Sequence, residues 1–188
     1  MPKRYKRFGG NRQTKLSRTP ISVLRGNTIQ SSTGIVDLKK PADLKQYLEF
    51  LGHSQAPGIR ELAQAAKEVS PRRYKTYTIF EVDFKKCPLI RAMGTPACSF
   101  EGLIFVDSNV PKIFRQFLAD HEIREIIMEK AGYSPNILPV TTGTGHLEAK
   151  RREKRDLERQ NLWEKYLKWA KRYHNWFYAE RKKLNRKH

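Results

Sequence analysis

The apolar run Leu103-Ile104-Phe105-Val106, closed by Asp107 and followed after a short turn by a long amphipathic stretch, constrains the fold more than any other feature of this chain. From Pro111 to Ala131 the residues Ile113, Phe114, Phe117, Leu118, Ile123, Ile126, Ile127 and Met128 recur at three- and four-residue steps. That period predicts a helix with one face buried. A short β-prone run feeding such a helix needs a sheet to sit in, so an α+β fold is expected.

The same helix carries His121-Glu122-Ile123-Arg124-Glu125. Residues four apart share a helix face, which lets His121 and Glu125 converge on one cation while Glu122 stands beside it as a general base. This is the mechanics of the zinc-hydrolase string H-E-x-x-H with Glu as the second ligand. A plainer reading stands next to it: both residues flank the apolar stripe and are solvated at its rim. Glu125 and Glu129 form a like-charge i, i+4 pair, from which a purely structural helix gains nothing.

Charge is the second strong constraint. The 188 residues carry a net +19, unevenly spread: residues 1–30 hold eight Lys/Arg and no acids, and residues 149–188 hold fifteen against five. The centre, 31–148, is near neutral. Two basic ends on a neutral domain suit a protein held against a polyanion, and nucleic acid is the expected partner. The alternative is a solubility device. The residues show no secretory h-region and no run of ~20 apolar residues, so an intracellular, cytoplasmic protein is expected. Cys87 and Cys98 are too few for a disulfide scaffold and read as buried thiols.

Residues 1–19 have the composition of a disordered basic arm, with Tyr5 and Phe8 among its charges. Ile21–Leu24 and Thr28–Gln30 flank Arg25-Gly26-Asn27 as a hairpin. Helices are expected over Asp37–Leu51 and Ile59–Val69, then a strand over Tyr74–Phe84 and a Gly/Pro-punctuated connection from Cys87 to Phe100. Gly132 to Gly145 reads as a loop delivering His146 to a helix, and Leu147 to about Arg186 as one long helix or two. The domain is thus expected over 20–148, with a basic helical extension over 149–188. Trp163, Tyr166, Trp169, Tyr173, Trp176 and Phe177 recur along that extension, either packed on the domain or presented as a stacking platform.

Strand LIFVD followed by a proline-started helix running into DHEIREI resembles the minimal zincin arrangement, in particular the ImmA/IrrE-type metallopeptidase-like domains. The similarity covers roughly residues 75–150 and departs from the family motif where Glu125 replaces His. It implies an α+β fold with a small mixed sheet packed on the active-site helix, and a metal-dependent hydrolase acting most plausibly on peptide bonds, with His121 and Glu125 as ligands to Zn²⁺ (Mn²⁺ or Fe²⁺ as alternatives) and Glu122 as the base. The third ligand must come from downstream. His146 is the first candidate, with Glu148 and Glu153 competing on the same helix start. His53, His174 and His188 receive no metal role.

Other chemistries find less in the sequence. There is no phosphate-cradling G-x-x-x-x-G-K-[ST] loop, no dinucleotide G-x-G-x-x-G turn and no G-x-S-x-G nucleophile elbow. A nuclease using Glu81, Asp83, Asp107 and Glu122 around a divalent cation is the remaining hydrolytic alternative, since Glu81 and Asp83 alternate to one side of the strongest strand.

Overall fold

The computed structural model describes residues 22–25, 28–31, 34–100, 102–132 and 144–185. The basic arm, the Gly26-Asn27 turn and most of the loop expected over 132–145 lie outside them.

Alternation along two adjacent parallel strands organises the structure. β5 (Tyr77–Val82) pairs in parallel with β7 (Leu103–Asp107), in register Thr78 to Leu103 through Val82 to Asp107. Phe80, Val82, Leu103 and Phe105 enter one core, and Tyr77, Ile79, Ile104 and Val106 the other. Strands covered on both faces read as continuous apolar runs, which is why LIFV shows no polar alternation. β4 (Arg72–Tyr74) and β6 (Ala97–Phe100) complete the mixed sheet in the order β4-β5-β7-β6, both antiparallel to their neighbours. Gly102 turns β6 into β7 at φ 82°, where a side chain would be strained.

Under the first face lie α1 (Pro41–Gly52), α2 (Pro57–Lys67) and α3 (Pro88–Met93). The helix expected from Asp37 begins at Pro41: Asp37 is instead the last residue of a strand, and proline's fixed φ and missing N–H suit the first helical turn. α1 buries Leu44, Tyr47, Leu48 and Leu51, one helical stripe. The hairpin near the N-terminus is a three-stranded antiparallel sheet of β1 (Ser22–Arg25), β2 (Thr28–Ser31) and β3 (Gly34–Asp37). The single long strand expected over 74–84 is broken at Lys75-Thr76 into a β4–β5 hairpin, with Lys75 at φ 54° and salt-bridged to Asp120. The connection from Cys87 onward contains α3, ended by Gly94 at φ 74°, and β6.

The second face carries the helices that build the site. α4 (Lys112–Lys130) buries Phe114, Leu118, Ala119 and Ile123, but also His121, Glu122 and Glu125. Ile113 and Ile127, expected in the stripe, are 44% and 49% exposed; the buried face is rotated toward the polar residues. Against α4 pack α5 (Thr144–Arg159) and α6 (Trp163–Asn185). They are two helices rather than one. Leu162 N–H bonds to Leu157 O (2.8 Å), Asn161 N–H to Glu158 O (3.0 Å), and Asn161 is left-handed at φ 56°, the Schellman stop. The segment read as an extension thus starts before residue 149, and its Ala149 and Leu157 are fully buried. Cys87 is buried and Cys98 half-buried, both as free thiols. Among the described residues no helix is long and apolar enough to cross a membrane.

Candidate metal centre

The third and fourth turns of α4 place His121 and Glu125 on the face that meets the first turn of α5. His121 Nε2 lies 3.2 Å from Glu125 Oε1 and 3.3 Å from His146 Nδ1, and His146 Nδ1 also contacts Glu125 Oε1. A tetrahedral ion with bonds of 2.0–2.1 Å holds its donor atoms about 3.3 Å apart. The His121 separations match that spacing, and the donors are two imidazole nitrogens and one carboxylate, a set that could hold a metal ion. Among the described residues this is the one group of three or more His, Cys, Asp or Glu whose ligand atoms lie close enough together for one ion.

The second ring nitrogen of His121 has its own partner. Nδ1 lies 2.9 Å from Glu153 Oε2, and Glu153 is 5% exposed. Behind Glu153 stands the Tyr166 hydroxyl, whose acidity is weakened by burial and by the adjacent carboxylate. A carboxylate on the outer nitrogen of a ligating histidine fixes the tautomer and directs the Nε2 lone pair inward. Glu153, considered as a ligand from the sequence, therefore takes this outer position. Glu148 pairs with Arg152 at 2.8 Å and with Arg155 instead, and takes no part in the group.

Glu122, the expected base, is buried beside the ligands and takes a hydrogen bond from Ser99 of β6. Burial, reinforced by the Glu125 charge, raises its carboxyl to about 7. Burial also opposes ionisation of Glu125, but hydrogen bonds from His121 and His146 prevail and hold it down at about 2. For His121, burial works against the cation, whereas the hydrogen bonds to Glu125 and Glu153 raise it to about 10. Two carboxyls three residues apart on one helix are thus driven in opposite directions by their surroundings.

The alternative carboxylate set does not assemble. Glu81 is ion-paired to Arg72 and Arg115 on the α4 side of the sheet. Asp83 lies beyond the end of β5, caps the Phe84–Lys86 turn and accepts from Asn109. Asp107 is consumed by the Phe84 and Asn109 amides, the Asn109 side chain and the Tyr173 hydroxyl. Of the residues singled out in the sequence, the structure brings together His121, Glu122, Glu125 and His146. Glu153, named there as a competing ligand, joins them at the outer nitrogen of His121 with Tyr166 behind it, and the structure adds Ser99. Glu153 follows His146 by seven residues, two turns along the same helix face, and that spacing was the available signal.

Family models, curated proteins and solved structures were all compared with the chain, and none matches.

Proposed function

We propose that the protein is a divalent-metal-dependent hydrolase of zincin type, most plausibly acting on peptide bonds, and that its basic ends hold it to nucleic acid or nucleoprotein. The observation that carries the reading is the convergence of His121 Nε2, Glu125 Oε1 and His146 Nδ1 from two helices, with both separations from His121 at tetrahedral spacing. Zn²⁺ is the ion proposed, with Mn²⁺ and Fe²⁺ the alternatives. When bound, such an ion supplies Lewis acidity that acidifies water and polarises a carbonyl.

The chain's own residues do the rest. His121 and His146 offer ring nitrogens, with Glu153 orienting the first of them. Glu125 supplies negative charge that compensates the cation. The Glu122 carboxylate receives a proton from the attacking water and returns it to the leaving amine, with Ser99 fixing its position. A carboxyl raised to about 7 is matched to that exchange near neutral pH.

Elemental mass spectrometry on untagged protein, beside His121→Ala, Glu125→Ala and Glu122→Gln, tests the reading. One ion per chain, lost in the first two variants and retained in Glu122→Gln with loss of peptide hydrolysis, is the expected result. Metal-free protein with folded variants would leave a buried ion-pair cluster on a structural helix.

A further inference from the structure

α6 ends its course over the sheet beside the loops that follow the parallel strands. Trp169, Tyr173 and Trp176 there line an open groove of about 220 Å³, with Lys85, Asn109 and Arg172 as its other walls. Lys85 follows β5 and Asn109 follows β7, so the groove sits at the carboxyl ends of the two central strands, where ligands of open mixed sheets ordinarily bind.

Three facts bear on what it takes. The first is the run of rings: Trp163, Tyr166, Trp169, Tyr173 and Trp176 follow one another along α6 at centroid separations of 5.9, 5.4, 5.4 and 5.8 Å. The first members are anchored, since Tyr166 and Trp169 pack on Phe114 and Tyr173 is bonded to Asp107. The ladder is therefore a rigid surface whose far end reaches the groove. The second is that the Trp176 ring already attracts cations, with the Arg91 guanidinium 4.9 Å and the Lys85 ammonium 5.9 Å from its centroid. The latter is at the outer limit of such attraction, and Lys85 is exposed, within reach of an incoming anion. The third is sign. The nearby carboxylates Asp83 and Asp107 are committed to Asn109, Tyr173 and backbone amides. The charged side chains that line the groove are Lys85 and Arg172, both exposed cations.

We infer that this groove is a binding site for single-stranded nucleic acid, in which a base stacks on the Trp176 end of the aromatic ladder while Lys85 and Arg172 take the flanking phosphates. Flat, sequence-tolerant rings edged by cations are what an unpaired strand requires, because every base has a π-face and every linkage a charge. A duplex hides its bases and would meet only the cations. The inference rests on the nucleic-acid part of the proposed function and narrows it to a place and a strandedness.

The test is fluorescence anisotropy of full-length protein with a labelled 20-nucleotide oligothymidine and with a duplex of equal length, across a salt series. Wild type is expected to prefer the single strand. Trp176→Ala should weaken that binding about tenfold, the loss of one stacked base, with the salt slope unchanged because no charge is removed. Lys85→Ala/Arg172→Ala, both exposed and so safe for folding, should lower the slope by about 1.4, the release of two counterions from a single strand. Trp176→Ala and the double variant binding like wild type, each with an unchanged melt, would overturn the groove while leaving the basic ends as the nucleic-acid contact. Equal affinity of wild type for both probes would overturn the strand preference on which the groove depends. Failure of wild type to bind either probe at low salt would overturn the groove and the nucleic-acid reading together.

Discussion

At the residue scale, the protonation of His121 determines how the centre takes up an ion. Both its ring nitrogens face carboxylates, Glu153 at Nδ1 and Glu125 at Nε2, so without an ion both carry protons and the ring stays cationic up to about pH 10. Coordination needs the Nε2 lone pair, so binding must expel that proton. The sign follows: protons compete with the ion below the raised value, and apparent affinity rises with pH until about 10. Calorimetric titration in buffers of different ionisation enthalpy at pH 7 should read about one proton released per ion. Glu153→Gln keeps an acceptor on Nδ1 but removes the charge. It should lower metal affinity about 10- to 100-fold, as measured by competition with a chelator. His121, Glu122 and Glu125 were legible in the sequence because a helix fixes their relations locally. Glu153 was not assigned its place because its partner, the outer nitrogen of His121, is defined only when α5 packs on α4.

At the element scale, short pieces were the least legible. α3 is six residues long and β3 four, too short for a repeating pattern to stand out, and both hide beside prolines and glycines that read as loop. The two central strands and α4 were legible because burial on two faces and on one stripe leaves patterns that no turn imitates. The α5–α6 stop was invisible to periodicity, since the aromatic and basic pattern runs on through it; only the left-handed Asn161 breaks the helix. Asn161→Ala should destabilise by about 1 kcal/mol, because a Cβ without a local polar partner tolerates this φ poorly. Leu157 accepts the Schellman bond and is fully buried beneath α6. Leu157→Ala should cost about 2–5 kcal/mol and, by loosening α5, should weaken metal binding as well. Urea denaturation with and without chelator measures both.

At the scale of the whole molecule, the sheet divides the protein into a face of small, local helices and a face where α4, α5 and α6 hold every residue proposed for chemistry or for the aromatic groove, apart from Ser99 of β6 and the loop residues Lys85 and Asn109. An ion held between α4 and α5 ties two elements of the second face together. Saturating with Zn²⁺ at a hundredfold excess over the dissociation constant should therefore raise unfolding stability by about 2.7 kcal/mol. The gain should vanish in His121→Ala, as read from denaturation of metal-loaded and chelator-treated protein. The +19 charge opposes compaction through self-repulsion. Most of it resides at the two ends, so the near-neutral centre that forms the sheet is spared much of that opposition.

Two of the three proposed ligands lie on α4 and the third on α5, so the centre is split across the order of synthesis. A chain growing at about 5–20 residues per second contains His121 and Glu125 for one to a few seconds before His146 is joined to it. Until α5 follows, α4 alone would offer only two of the three proposed donors. On the proposed reading, secure loading would therefore wait until α5 has docked on α4.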